Sequence, residues 1–149
     1  MEYAGTNGGT NTIPRVRGQL AFDNLDSSEK MELGGAYGVR AYPEGEAYAD
    51  QGYVLNLEAR VALPPLPAGV AGRLQLVGFV DHGNVSTSKD PWTSAPNHRS
   101  LSGVGVGLIW ADTNNFVVKA YYARKVGSEP ALSAPDSAGR FWLQAVKYF

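Results

Sequence analysis

The sequence predicts an all-β fold built from antiparallel strands, and three observations support this prediction. Apolar and polar residues alternate with a period of two along several segments, as they do in a strand with one apolar and one polar face. No apolar run approaches the roughly 18 residues of a transmembrane helix, which excludes such a helix. Short turns and long loops alternate between the predicted strands. We therefore expect about seven strands and no helix.

The alternating pattern defines each predicted strand in turn. The strands are expected at residues 15–23, 30–35, 53–63, 73–81, 101–111, 116–125 and 140–149. The third is the clearest, because alternate residues from Tyr53 to Leu63 are apolar while Asn56, Glu58 and Arg60 lie on the other face. By the same parity, Asp81 shares the polar face of its strand with Arg73.

The connections between these strands are marked by proline, glycine and small polar residues. Short turns are predicted at 24–28, 64–71 and 112–115, the second because it contains several prolines that cannot continue a strand. Long loops are predicted at 36–50, 82–98 and 126–139. Regular alternation of this kind is typical of an outer-membrane barrel, which has short periplasmic turns and long outer loops.

The composition excludes several classes of function. The 149 residues fit one domain, and 13 basic against 14 acidic residues leave no basic surface for nucleic acid. The absence of cysteine removes disulfides, thiol nucleophiles and cysteine-based metal sites. Residues 1–14 are polar and rich in Gly, Asn and Thr, so they are expected to be a flexible segment and not a signal peptide. A secreted barrel needs such a signal, so either the chain is a fragment or it is not such a barrel.

The aromatic residues favour a membrane barrel over a soluble sandwich. Alternation alone fits both, because the apolar face meets lipid in a barrel and forms the core in a sandwich. Aromatic side chains, however, cluster near the predicted strand ends, as in the two girdles of an outer-membrane barrel. They are Trp110, Phe116, Tyr121, Tyr122, Phe141, Trp142, Tyr148 and Phe149. A soluble, lipocalin-like or sandwich binding module with an apolar pocket remains the alternative.

Two motifs and the last residue carry a resemblance to a known family. The first motif is Val39-Arg40-Ala41-Tyr42, which follows Gly34-Gly35 and precedes a strand that opens at Asp50. The second is Phe79-Val80-Asp81-His82-Gly83, which has the form Phe-x-Asp-x-Gly. In order and spacing they resemble the motifs of the two-partner secretion transporters, the haemolysin secretion/activation proteins. Phe149 resembles the terminal aromatic residue that the barrel-assembly machinery reads. The resemblance covers residues 15–149.

The resemblance implies an antiparallel transmembrane β-barrel of the outer-membrane type. Residues 15–149 would supply the C-terminal seven or so strands of that larger barrel. The implied function is export of a secreted partner protein across the bacterial outer membrane, without enzyme activity, cofactor or nucleotide. Outer-membrane lipid and the barrel-assembly machinery are the other implied partners.

The resemblance also implies a role for each motif. The loop with Val39, Arg40, Ala41 and Tyr42 would fold into the barrel lumen. Arg40 would pair there with Asp81, which Phe79 and Gly83 flank in the second motif, and the pair would act as a latch on a mobile loop. Ala41 stands where the family has glycine, so a positive φ at this position would be strained.

Three competing functions stay open at this point. The chain could belong to a barrel-assembly insertase of the same superfamily, or to the soluble binding module mentioned above. A hydrolase using His82 and Asp81 is the third, and a metal site from His82 and His98 has little support, so no metal is predicted.

The glycine-rich run at 102–107 lacks the Lys-Ser/Thr and the helix of a nucleotide site. Gly103, Gly105 and Gly107 instead predict a flat strand surface, against which the lumen loop is the candidate to pack.

Overall fold

The computed structural model describes residues 10–149, so residues 1–9 of the predicted flexible segment lie outside the described part. All regular structure between residues 10 and 149 is β-strand, which confirms the predicted all-β class. In that range no helix is long and apolar enough to cross a membrane. The strands are β1 (Asn11–Gln19), β2 (Met31–Glu32), β3 (Tyr48–Ala49), β4 (Gln51–Ala62), β5 (Arg73–Ser86), β6 (His98–Asp112), β7 (Phe116–Lys125) and β8 (Gly139–Lys147).

Six of these strands form one antiparallel sheet in the order β1-β4-β5-β6-β7-β8. Each strand pairs with the next long strand along the chain, as in a meander. The short strands β2 and β3 pair only with each other and lie in the connection between β1 and β4. Strands β1 and β8 are the edges, so the sheet of residues 10–149 is not closed.

Several predicted boundaries are wrong. The first strand ends at Gln19 and not at residue 23, and β5 continues to Ser86 through residues predicted as a loop. Local backbone chemistry explains two further differences. The predicted strand at 30–35 is only Met31–Glu32, because the chain turns at Gly35, whose φ is +93°. The strand expected to begin at residue 15 begins instead at Asn11. Pro14 lies within it, and proline is tolerated here because β1 is an edge strand.

The short–long alternation of connections holds only in part, because 63–72 is almost as long as 87–97 and because the first connection is longer than predicted. Residues 20–50, 87–97 and 126–138 form the long connections, and 63–72 and 113–115 form the short ones. The turn predicted at 24–28 is therefore part of a long connection. Because neighbouring strands are antiparallel, all three long connections lie at one end of the sheet and both short ones lie at the other.

The sheet exposes its apolar face and covers its polar face. Leu57, Val106 and Leu143 on the apolar face are 52%, 59% and 68% exposed. The opposite face carries Glu58 and Asp81, which are buried. In a soluble sandwich the apolar face would be buried in the core and the polar face would be exposed to water. A large exposed apolar face instead indicates that this face contacts another apolar surface or lipid.

The aromatic residues divide between the two faces, which corrects part of the predicted girdle. Trp110 and Phe116 lie together on the apolar face near the short connections, with ring centroids 4.7 Å apart. Tyr121 and Trp142 were expected in the girdle, but they pair across β7 and β8 on the polar face. Parity decides this, because successive side chains of a strand point to opposite faces.

Candidate functional site

The polar face is covered by residues 33–50, here called the signature loop. Its base is closed where the Leu33 and Gly34 N–H groups donate to the Glu46 carbonyl at 3.2 and 3.1 Å. Its tip is a tight turn in which the Tyr42 N–H donates to the Val39 carbonyl at 3.0 Å. The first motif therefore occupies a turn that the loop's own backbone holds.

Arg40 projects from this tip onto the sheet and contacts two carboxylates. Its Nε and Nη2 donate to the two oxygens of Asp81 at 2.9 and 2.8 Å, and its backbone N–H donates to Asp81 Oδ2 at 3.1 Å. Its Nη1 donates to Glu58 Oε2 at 2.8 Å, and Arg60 donates to the other Glu58 oxygen at 2.6 Å. The guanidinium thus grips Asp81 bidentately, in the geometry that favours arginine over lysine.

The surroundings of Arg40 fix its orientation. The guanidinium carbon lies 3.4 Å from the centroid of the Phe79 ring, so Phe79 of the second motif stacks beneath the charge. Trp142 Nε1 donates to the Arg40 carbonyl at 2.7 Å. Asn56 Nδ2 donates to Asp81 Oδ1 at 2.8 Å and to the Gly38 carbonyl at 2.9 Å. These contacts of Phe79, Trp142 and Asn56 therefore limit the movement of the loop tip.

The charges of this cluster are stabilised by one another. Arg40, Asp81 and Glu58 are 5%, 0% and 5% exposed, so solvent screens them weakly. Burial alone would lower the pKa of Arg40, but the hydrogen bonds and charges of Asp81 and Glu58 outweigh it and raise that pKa. Arg40 therefore stays charged, and removal of either partner leaves a buried charge without its counterion.

The other residues of the two motifs pack the loop onto the sheet. Val39, Ala41 and Tyr42 are fully buried. A Cβ added at Gly103 would lie 2.6 Å from the Ala41 Cβ, and one added at Gly83 would clash with the Leu33 side chain. Two glycines on neighbouring strands therefore make room for the loop.

The glycine row and Ala41 both differ from expectation. Only Gly103 of the predicted row meets the loop, whereas Gly105 and Gly107 lie under the Phe79 and Tyr121 rings. The strain expected at Ala41 is absent, because the positive-φ residues other than glycine between residues 10 and 149 are Ala47 and Asn114.

Sequence reasoning did not identify two buried carboxylates of the signature loop. Asp50 is fully buried and accepts hydrogen bonds from Lys30 Nζ at 2.9 Å and from the Lys89 N–H at 2.8 Å. It thereby joins the base of the loop to the connection between β5 and β6. Glu46 makes a similar junction with the connection between β7 and β8. Neither acid gives a signal in the sequence, because the basic side chains and the backbone N–H groups that bind them lie far away along the chain.

A cavity of about 370 Å³ lies beside the Arg40 cluster. Arg15, Arg60 and Lys119 line it together with the aromatic rings of Tyr37 and Tyr121. The polar face therefore continues past the loop as a water-accessible, mainly basic surface. Such a wall suits the lumen of a barrel, where charged side chains meet water.

The remaining candidate residues lie away from this cluster. His82 and Asp81 are adjacent on β5 and so point to opposite faces, which removes the hydrolase pair. His82 bonds Ser102 at 2.8 Å and His98 bonds Ser86 at 2.9 Å, and residues 10–149 contain no group of three potential metal ligands. Phe149 is fully exposed just beyond β8.

An open antiparallel sheet with a bare apolar face, and a loop folded onto its polar face, is built like the wall of an outer-membrane barrel. Comparison with known proteins names the family. The family model described as haemolysin secretion/activation protein ShlB/FhaC/HecB matches residues 13–109, which include both motifs. The chain belongs to this family, as the motifs predicted. It is a family of secretion proteins and not a family of enzymes.

The curated relatives are transporters from Haemophilus influenzae. The heme/hemopexin transporter protein HuxB of strain 86-028NP is 32% identical over 139 residues, which cover 90% of this chain and 23% of that protein. HuxB of strain Rd is 30% identical over 137 residues, with the same coverage. The chain thus spans about a quarter of the length of these relatives. No solved structure matches the chain significantly.

Proposed function

We propose that the chain is part of an outer-membrane pore that exports a partner protein by two-partner secretion. The observation that carries this proposal is the signature loop, which lies on the polar face and is held there by Arg40 against Asp81. The role proposed for this cluster is mechanical and involves no covalent chemistry. The loop occupies space along the polar wall, and Arg40 sets whether it stays there.

The apolar face of the sheet supports a membrane location. The six long strands have 9 to 15 residues, and about 9–11 suffice to cross a bilayer when tilted. The exposed side chains of this face are aliphatic in the middle. Trp110 and the half-buried Phe116 lie at one end of the face, and Tyr122 and Phe141 lie at the other. We assign this face to outer-membrane lipid, and the exposed Phe149 to recognition by the barrel-assembly machinery.

The latch is expected to work through the bidentate Arg40–Asp81 contact. While the contact is made, the loop tip is fixed and narrows the pore. A passing polypeptide must displace the tip, and the buried carboxylates then draw Arg40 back. A lysine at position 40 would reach only one carboxylate oxygen at a time, so it would hold the tip less firmly.

Export by the full-length protein with Arg40→Ala tests this proposal. We expect the barrel to assemble in the outer membrane and export of its cognate partner to be lost. Arg73→Ala is the matched control, because Arg73 lies at the start of the strand that carries Asp81 but is exposed and outside the cluster. Normal export by Arg40→Ala would refute the latch.

Bacteria that carry the same two variants also distinguish an export pore from the insertase alternative. An insertase would show reduced assembly of unrelated outer-membrane proteins when Arg40 is replaced. An export pore would lose secretion of its own partner while the levels of other outer-membrane proteins stay unchanged. We expect the second result, because both curated relatives are named as transporters.

A further inference from the structure

Glu46 holds the signature loop at the end opposite to Arg40. It is 1% exposed although it lies in a loop. Its Oε2 accepts from the N–H groups of Leu132 and Ser133, both at 2.9 Å, and from Ser133 Oγ at 2.9 Å. Its Oε1 accepts from the Leu132 N–H at 3.1 Å and from Arg99 Nη1. All these partners except Arg99 belong to the connection between β7 and β8, residues 126–138.

Neighbouring contacts extend this junction. Arg99 donates to the Pro130 carbonyl at 2.7 Å, and the Tyr42 hydroxyl donates to the Glu129 carbonyl at 3.0 Å. Ser133 Oγ lies 3.2 Å from the Glu44 carbonyl. Burial alone would raise the pKa of Glu46, but the hydrogen bonds from Ser133, Arg99 and Leu132 hold it below the ordinary glutamate value. The carboxylate is therefore the centre of a contact between two connections that are 86 residues apart.

We propose that Glu46 is a positioning residue that fixes the 126–138 connection on the signature loop, so that both form one cap at the long-loop end of the sheet. The proposal extends the proposed function, because a cap of this kind would move as one unit when the exported chain displaces the loop. The contact itself does not depend on export and can be measured separately.

Both oxygens of Glu46 receive donors, and this makes the site specific for a carboxylate. A glutamine would keep the shape but place an NH2 group against N–H donors on one side. With its one oxygen facing the Leu132 and Ser133 N–H groups, a glutamine would set this NH2 group against the Arg99 guanidinium and would remove the negative charge that pairs with it, which is costly in a buried position. The Arg40–Asp81 contact shares none of these donors. Glu46→Gln should therefore release the 126–138 connection and leave the Arg40–Asp81 contact in place.

Ala131 is a suitable position at which to detect release of the 126–138 connection. It is 7% exposed although it lies in the connection, and the chain has no cysteine of its own. An Ala131→Cys substitution in the full-length protein, in a background without other reactive cysteines, gives a thiol whose labelling rate measures release of the connection. Ala123→Cys on β7, at a fully buried position, reports on the sheet itself.

The experiment compares labelling of both thiols in Glu46→Gln and in the matched control Glu44→Gln, whose exposed carboxylate lies two residues away. We expect Glu46→Gln to raise the labelling rate of Ala131→Cys at least tenfold, or about 1.4 kcal/mol. Ala123→Cys should stay protected, and Glu44→Gln should change neither rate. Arg99→Gln removes one donor from the other side and should raise the Ala131→Cys rate by a smaller factor.

Equal labelling of Ala131→Cys in Glu46→Gln and Glu44→Gln would overturn the proposal. Exposure of Ala123→Cys by Glu46→Gln would also overturn it, because Glu46 would then be needed for the sheet and not for positioning the connection. If Glu46→Gln does not assemble, the Arg99→Gln rate decides alone. A failed latch would appear as normal export by Arg40→Ala with Glu46-dependent labelling intact, so the two proposals fail separately.

Discussion

Replacing Arg40 by alanine is the perturbation with the largest expected effect on the signature loop. The change removes three hydrogen bonds from the side chain, two to Asp81 and one to Glu58, and leaves the backbone N–H bond in place. It also removes the cation stacked on Phe79. Asp81 is fully buried, so water cannot readily replace the lost donors.

The size of the effect follows from the buried charge that remains. Breaking a buried ion pair by removing one partner costs about 3–5 kcal/mol, mostly because the other partner stays uncompensated. Asn56 still donates to Asp81 and Arg60 still donates to Glu58, so we expect the lower end, about 3 kcal/mol. This corresponds to about a hundredfold increase in the population of the released loop.

Hydrogen exchange of the full-length protein in lipid measures this population directly. Amides of residues 33–46 should exchange about a hundredfold faster in Arg40→Ala, because local opening sets the exchange of a folded segment. Amides in β5 should keep their protection, and Arg73→Ala should leave both regions unchanged. Equal loop protection in Arg40→Ala and the parent protein would refute the claim that Arg40 holds the loop.

Three further substitutions test single contacts of the site. Gly103→Ala should displace the loop and reduce export, because the added Cβ lies 2.6 Å from a loop Cβ, whereas Gly78→Ala adds its methyl group to open space and should export normally. Trp142→Phe removes the indole N–H that donates to the Arg40 carbonyl and should weaken loop protection by about 1 kcal/mol in hydrogen exchange. Burial would raise the pKa of Asp50, but its hydrogen bonds and the charge of Lys30 lower it overall. A depressed carboxyl pKa stabilises the fold above the unfolded-state value and is lost as the pH falls through the folded-state value. Protection of residues 24–50 should thus fall in acid, below the ordinary aspartate range, and Asp50→Asn should flatten that dependence.

The sequence predicted the features that depend on local periodicity. The alternation in residues 53–63 became β4, and the hairpin across 112–115 became β6 and β7. Parity also placed Asp81 and Glu58 on one face, since a two-residue period fixes the side of every residue once one is known. The contact between Arg40 and Asp81 was not readable from periodicity and came only from the family resemblance.

The features that depend on distant contacts were missed. The strand predicted at 30–35 was too long, because only Met31–Glu32 pair with β3 further along the same connection and the chain then turns at Gly35. Glu46 and Asp50 carried no signal, because their partners lie far away along the chain, such as the backbone N–H groups 86 and 39 residues away. Strain at a positive φ was considered for Ala41 because the family has glycine there, but the loop residues with positive φ are Gly35, Gly45 and Ala47.

The central claim is that the apolar face meets lipid while the face with the signature loop lines the pore. Trp110 and Trp142 test it, because they lie on opposite faces of the same sheet. Full-length protein with one or the other as its only tryptophan can be reconstituted in vesicles whose acyl chains carry a bromine quencher. We predict strong quenching of Trp110 and little quenching of Trp142. Equal quenching of the two, or quenching of Trp142 alone, would contradict the assignment of the faces and with it the pore.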